Sequence, residues 1–277
     1  MPTVCLTITA TPMDQEVLIA ELDELGFDAF EPGAVELRAY GPAEHWIQHA
    51  EAVRAQLHRL DRGTLVAVDH LDDQNWNARW EASIRPLAVG AFLIRPSWQP
   101  IPPEHADRIP LTIDPKMSFG TGYHESTRLV LRALPALVRP GARVLDAGTG
   151  TGILGIAAAK LGAASVFAFD IDAWATENVP ENVTRNGVED RVVFRQGSLE
   201  VAPPGPYDLV LANINRAVLI DLLPAFAAAC APTGQVVLAG LLQTDEPAMA
   251  APIAEAGLRT VAARTEGAWW SVTLEPW

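Results

Sequence analysis

Residues 143–163 read RVLDAGTGTGILGIAAAKLGA. An apolar run closes on Asp146, glycines follow at 148, 150, 152 and 155, and an alanine-rich stretch continues at helical spacing. Strand, glycine turn and helix in that order open a βα unit, because glycine permits the positive φ and close backbone approach such a turn demands. Two registers fit. Gly150-x-Gly152-x-x-Gly155, with Asp170 twenty residues beyond Gly150, satisfies the dinucleotide pattern. Gly148-x-Gly150-x-Gly152, directly after the strand-ending Asp146, is the alternative.

The flanks extend the unit. Helix RLVLRALPAL precedes it. After it come strand SVFAFDID, helix ATENVPENVTRNG, strands VVFRQG and DLVLANI, helix AVLIDLLPAFAAACA, strand QVVLAGL, a helix near EPAMAAPIAEAG and a last strand WWSVTLE. Alternating strands and helices predict an α/β fold: a doubly wound, Rossmann-like parallel sheet with its ligand loops at the strand carboxyl ends. Upstream, AFLIRPSW and RIPLTID read as strands around the proline-rich loop WQPIPPEHAD.

The first seventy residues have a different rhythm. VCLTITA alternates, MDQEVLIAELDELG is helical and stops at Gly26, FDAFE and AVELRAY are short strands, AEHWIQHAEAVRAQLHRL is helical and TLVAVDHL is a strand. The order βαββαβ is the ferredoxin-like α+β pattern. His45, His49 and His58 fall on its second helix with no third metal ligand nearby, so surface histidines and no metal are expected. DDQNWNARWEASIRP reads as a connecting helix with Trp76 and Trp80 on one face. The expected boundaries are therefore 1–70, a linker 71–86, and 87–277.

Composition narrows the class. The chain of 277 residues carries a formal charge of −14. Residues 1–70 hold twelve acids against four arginines, which is −8. An acidic chain is a poor binder of nucleic-acid backbone; it suits a basic protein partner, and solubility alone is the simpler reading for most of these charges. Two distant cysteines without a CxxC pair, no long apolar run and no basic, cleavable N-terminus point to a cytoplasmic protein without disulfide, zinc or membrane span. A monomer is expected.

The second glycine register, an acid followed by GxGxG, resembles the S-adenosylmethionine loop of class I methyltransferases. The resemblance implies that Gly148 and Gly150 let the backbone approach S-adenosyl-L-methionine. It further implies that Asp146 faces the cofactor's ammonium, directly or through water, and that Asp170 accepts both ribose hydroxyls. Asp172 would face the other side of the strand. LVLANINR ends the strand where such enzymes place the acceptor, so Asn213 and the Ile214 carbonyl are candidates to orient an amine. Asn213 as a simple turn cap is the alternative. Asn-Ile-Asn-Arg in place of Asn-Pro-Pro-aromatic disfavours a flat, stacked acceptor.

A more specific resemblance covers most of the chain. NWNARWEASIRPLAVGAFLIRPSW, DPKMSFGTGYHEST (114–127), LDAGTGTGILGIAAAKLGA, FDID, NGV, LANI and GLL occur in the order found in bacterial ribosomal protein L-eleven methyltransferases. DPKMSFGTGYHEST is similar to that family's signature, which generic methyltransferases lack. The resemblance implies an N-terminal domain that recognises large-subunit protein eleven, a linker that permits reorientation, and methylation of lysine and N-terminal amines. Cofactor contacts carry over to Thr127, Gly148, Asp170 and Asn213. Phe119, Gly120, Thr121 and His124 line the same cleft, with Phe119 as a lid and His124 positioning the loop or relaying a proton. Lys116 stands at a family glycine and is expected to face solvent. Ser118 and Ser126 also depart from the pattern, and Glu125 replaces a common proline. A methyltransferase with another substrate, an NAD-dependent oxidoreductase and a non-catalytic binding module are the competing readings.

Overall fold

Val4, Leu6 and Ile8 lie fully buried on one face of β1 (Thr3–Thr9), as the alternation in VCLTITA requires. The computed structural model describes residues 3–27, 29–60, 63–71, 84–114, 116 and 118–277. Contacts divide the chain into two units, Met1–Arg79 and Trp80–Trp277. Of the expected linker helix, residues 72–83 with Trp76 and Trp80 lie outside the described residues, and 84–86 are not helical. No helix among the described residues is long and apolar enough to cross a membrane.

In the first unit β1 is followed by α1 (Pro12–Glu24), β2 (Ala29–Pro32), β3 (Glu36–Pro42), α2 (Ala43–Leu60) and β4 (Thr64–Leu71). The sheet is antiparallel with order β2-β3-β1-β4, the ferredoxin-like arrangement. Leu18 and Leu22 of α1 and Trp46, Val53 and Leu57 of α2 cover one face of it. Thr11 caps α1 by accepting from the Asp14 amide, and Pro12 follows where a missing N–H costs nothing. Gly26 ends the turn at φ 85°, where a side chain would collide with His45. His45 is thereby not a free surface histidine. Its Nδ1 donates to the Gly26 carbonyl at 3.1 Å.

The second unit begins with a small sheet of β5 (Leu87–Val89), β6 (Phe92–Arg95) and β7 (Ile109–Thr112). The main run is α3 (Glu125–Leu137), β8 (Arg143–Ala147), α4 (Ile153–Lys160), β9 (Ser165–Asp170), α5 (Ala173–Asn186), β10 (Val192–Gln196), β11 (Tyr207–Asn213), α6 (Arg216–Ala229), β12 (Cys230–Leu242), α7 (Glu246–Glu255), β13 (Leu258–Glu266) and β14 (Trp269–Pro276). Its seven strands lie in the order β10-β9-β8-β11-β12-β14-β13. The chain winds outward from β8 to β10, then returns to lay β11 on the other side. The crevice of a doubly wound sheet opens at that reversal, between β8 and β11.

Two corrections to the sequence reading arise here. The sheet is parallel from β10 to β12, but β14 runs antiparallel to both neighbours. Strand β13 was not anticipated. Of its residues only Leu258 is buried, because an edge strand packs one face at most and shows little apolar periodicity.

Both faces of the central strands are apolar, as helices on both sides require. Val144, Val166 and Leu211 pack toward Leu131 of α3, Ile156 of α4 and Val179 of α5. Leu145, Phe167 and Val210 pack toward Phe226 of α6 and Ile253 of α7. Asp146 is the polar exception in this layer.

Candidate active site

The two glycine-bearing loops interlock. Thr151 of the second donates its amide to the Phe119 carbonyl (2.8 Å) and its hydroxyl to the Gly120 carbonyl (2.6 Å) of the first. Gly150, at φ 56°, makes room for this, because a Cβ there would collide with the Phe119 carbonyl. Gly148, at φ 67°, likewise admits the Ile214 side chain. The space vacated at these glycines is thus filled in part by the protein's own neighbouring loops.

A cavity of about 280 Å³ lies at the carboxyl ends of β8, β9, β10 and β11. Phe119, Gly148, Gly150, Asp170, Asn213 and Ile214 are among its lining residues, so the structure brings these candidates together. Asp170 accepts from the Gly150 amide at 2.8 Å through Oδ2 and from the Asp172 amide at 3.0 Å through Oδ1. Asp172 also borders the cavity, while its side chain caps α5 by accepting from Trp174. Thr121 holds the turn of the first loop, accepting from the Tyr123 amide at 3.3 Å.

Asp146 is placed differently from the expectation. It is fully buried and does not line the cavity. Strand alternation turns it toward α4, where Oδ2 accepts from the Thr149 hydroxyl (2.6 Å) and the Gly155 amide (2.9 Å). Its Oδ1 has no partner among the described residues. Burial pushes this carboxyl up from 3.8 to about 6, against the two hydrogen bonds that favour the charged form. A folded-state value above the unfolded one means stability is intact below 3.8 and is lost as pH rises through about 6. The cost above that range is roughly 3 kcal/mol for a shift of this size. Asp146→Asn keeps an acceptor for Thr149 and Gly155 and removes the charge. Its stability relative to the parent should therefore rise between pH 4 and pH 8, by about 1–3 kcal/mol. Denaturant unfolding at several pH values checks this; identical pH slopes for the two proteins would contradict it.

Asn213 is where two cavities meet. The second, of about 270 Å³, is bordered by Phe119, His124, Ser126, Asn213, Ile214, Gly240 and Trp269, among others. The Asn213 Nδ2 donates to the hydroxyl of fully buried Thr127 at 3.2 Å. Its Oδ1 is buried without a partner among the described residues. Capping falls to Asn215 instead, which accepts from the Val218 amide at the start of α6. The Ile214 carbonyl lies against Gly240, whose missing side chain makes the room. His124 caps α3, its Nδ1 accepting from the Ser126 amide at 3.2 Å. That bond needs an unprotonated Nδ1 and leaves Nε2 to carry the proton. The His124 ring stands edge-on to Phe119 (5.2 Å) and Trp269 (4.3 Å).

Some supporting residues escaped the sequence reading. Asn178, Asn182 and Asn186 lie four apart along α5, the spacing of one helix face, and that spacing was the available signal. Asn182 Nδ2 donates to Asn178 Oδ1, the Thr151 carbonyl and the Asp114 carbonyl, and its Oδ1 accepts from the Asp114 amide. Asn186 pairs in the same way with Thr112. One buried helix face therefore binds β7, the start of the first loop and the second loop. Lys116 has φ 45°, alone among the described non-glycine residues in being positive. A lysine there costs of order 1 kcal/mol. It is not free in solvent, since its Nζ pairs with Glu181 at 2.7 Å. Lys116 and Arg185 hold the Glu181 carboxyl below its ordinary value. Ser118 buries a hydroxyl with no partner among the described residues.

Known proteins resemble this chain over most of its length. The family described as Ribosomal protein L11 methyltransferase (PrmA) matches residues 5–276. A Ribosomal protein L11 methyltransferase of Chlorobaculum parvum is 37% identical, with 94% of this chain and 92% of that protein aligned. One of Thermus thermophilus is 40% identical over 73% of this chain and 77% of the other. The crystal structure of a ribosomal protein L11 methylase from Lactobacillus delbrueckii subsp. bulgaricus superposes with a TM-score of 0.65 at 31% identity, covering 70% of this chain and 99% of that one. With that match over nearly the whole chain the dinucleotide register loses its footing, and the chain belongs to the ribosomal protein L11 methyltransferase family.

Proposed function

We propose that this protein transfers methyl groups from S-adenosyl-L-methionine to amino groups of large-subunit ribosomal protein eleven, on lysine side chains and the N-terminal α-amine, in the cytoplasm. The observation that carries the reading is Asn213. A buried amide oxygen without a partner, at the junction of two cavities, is a hydrogen-bond acceptor held ready for a ligand N–H.

The residues present fit a nucleoside joined to an amino acid. Asp170 presents a carboxylate to the cavity, with oxygens able to accept from vicinal hydroxyls. Phe119, Phe169 and Ile171 supply apolar walls. Gly148 and Gly150 expose backbone between these walls. Asp146, buried beneath the loop, supplies negative potential for an ammonium above it. The cofactor, when bound, supplies a methyl group already activated by its sulfonium.

Catalysis by the chain is then mainly alignment of donor and acceptor. Asn213 Oδ1 would accept from the incoming amine and aim its lone pair, with Thr127 fixing the carboxamide. The acceptor must be neutral to attack. An α-amine, with pKa about 7.7–8.0, is partly neutral at pH 7, whereas lysine at about 10.4 is not. The aromatic wall of Phe119, His124 and Trp269 lowers the cost of losing that proton by disfavouring the charged, hydrated form. His124 is assigned to hold the loop rather than to carry the proton, because its Nδ1 is used as a helix cap.

The test is mass spectrometry of unmethylated large-subunit protein eleven after incubation with enzyme and S-adenosyl-L-methionine. Added methyl groups on its amines are expected. Cofactor binding without any transfer would favour a binding module, and calorimetric binding of NAD alone would sink the reading.

A further inference from the structure

Trp269 walls the second cavity from the tip of the β13–β14 hairpin, at the outer edge of the sheet. Trp269 is backbone-paired on both sides, with Leu242 of β12 and Glu266 of β13, but β13 has no strand beyond it, so side-chain contacts set how the hairpin tip meets α3. Glu266, three residues before Trp269, makes them. Its Oε1 accepts from Arg128 Nε at 2.8 Å, and its Oε2 accepts from Arg132. The two arginines are one turn apart on α3. Arg128 also donates to the Tyr123 carbonyl, in the first loop beside His124. On the other side, Gln243 donates its amide to the Ala268 carbonyl (2.9 Å) and its side chain to the Gly267 carbonyl (2.6 Å). Burial pushes the Glu266 carboxyl up, but Arg128 and Arg132 outweigh it and leave it below its ordinary value.

We infer that Glu266, through Arg128 and Arg132, is a positioning residue that sets Trp269 against His124 and so shapes the acceptor side of the site. The inference rests on the amine-methylating reading above. Paired arginine–carboxylate contacts are geometrically strict, and an error of about 1 Å in an acceptor wall can cost up to about 100-fold in rate. Glu266 borders neither cavity. Its effect should pass through Trp269.

The test uses the full-length protein with large-subunit protein eleven and S-adenosyl-L-methionine. It compares the parent, Glu266→Ala, Trp269→Ala and the double variant. Glu266→Ala should lower kcat about tenfold, with acceptor KM changed less than about threefold and cofactor Kd unchanged by calorimetry. The double variant should be no slower than Trp269→Ala alone, because coupled residues are not additive. Where the alanine variant fails to fold, Glu266→Gln carries the same comparison, with a loss of about threefold expected. A kcat within twofold of the parent, or losses that multiply in the double variant, would overturn the inference. A parent that transfers no methyl overturns the functional reading and this inference with it.

Discussion

Asn213→Ala should bind S-adenosyl-L-methionine with near-parental affinity and transfer methyl about 100-fold more slowly. The two halves of that expectation have different causes. In the proposed function the cofactor would be held by Asp170, Gly148, Gly150, Phe119 and the segment after β10, which line the first cavity, so one lost amide would remove a small share of the binding. The acceptor has far fewer polar partners. Among the residues bordering the second cavity, Asn213 Oδ1 is the buried acceptor without a protein partner. Removing a preorganised group of this kind costs on the order of 100-fold, or about 3 kcal/mol of transition-state stabilisation. The alanine variant also strips the Thr127 hydroxyl of its bond, a secondary cost of about 1 kcal/mol in stability. Calorimetry and single-turnover kinetics separate the two halves. Near-parental turnover would remove Asn213 from the mechanism.

Deleting residues 1–70 should leave cofactor affinity intact while kcat/KM on large-subunit protein eleven falls by 100-fold or more. The first unit has its own sheet and its own core, and none of the residues bordering the two cavities lies within it. Residues 1–70 carry twelve acids against four arginines, which suits recognition of a basic ribosomal protein. Holding the substrate by one surface while an amine enters the site converts a second encounter into an intramolecular one, an effect on the order of 100- to 10,000-fold. A short lysine peptide, which uses no docking surface, should be methylated at similar low rates by both forms. A truncated enzyme that still modifies the whole protein efficiently would show that recognition lies elsewhere.

The sequence made the scaffold legible where one side chain in two or in four had to be buried. β1 alternates because one face meets helices, and β8 is buried from Val144 to Ala147 because both faces do, with Asp146 its polar exception. β13 escaped because a mostly exposed edge strand obeys neither pattern. In the site, backbone-driven features were readable. Gly148 and Gly150 mark positive φ, and Lys116, where the resembled family has glycine, also takes a left-handed φ of 45°. Partnerships across sequence distance were not readable. Arg128 and Glu266 stand 138 residues apart, and no local spacing announces them. Asp146 shows the subtler limit. Its position in the motif was plain, but its inward turn toward Gly155 depends on how α4 packs.

Lys116 and Lys160 are the only lysines of the chain. The first is tied to Glu181 and the second donates to the Pro110 carbonyl at 2.8 Å. An enzyme proposed to methylate amines thus offers almost none of its own as side chains, and those it has are engaged. Self-modification, which would consume cofactor and alter surface charge with each turnover, has little here to act on. The same scarcity makes amine-directed labels a poor handle on this protein, and leaves the methyl signal in a mixed assay to report on the substrate.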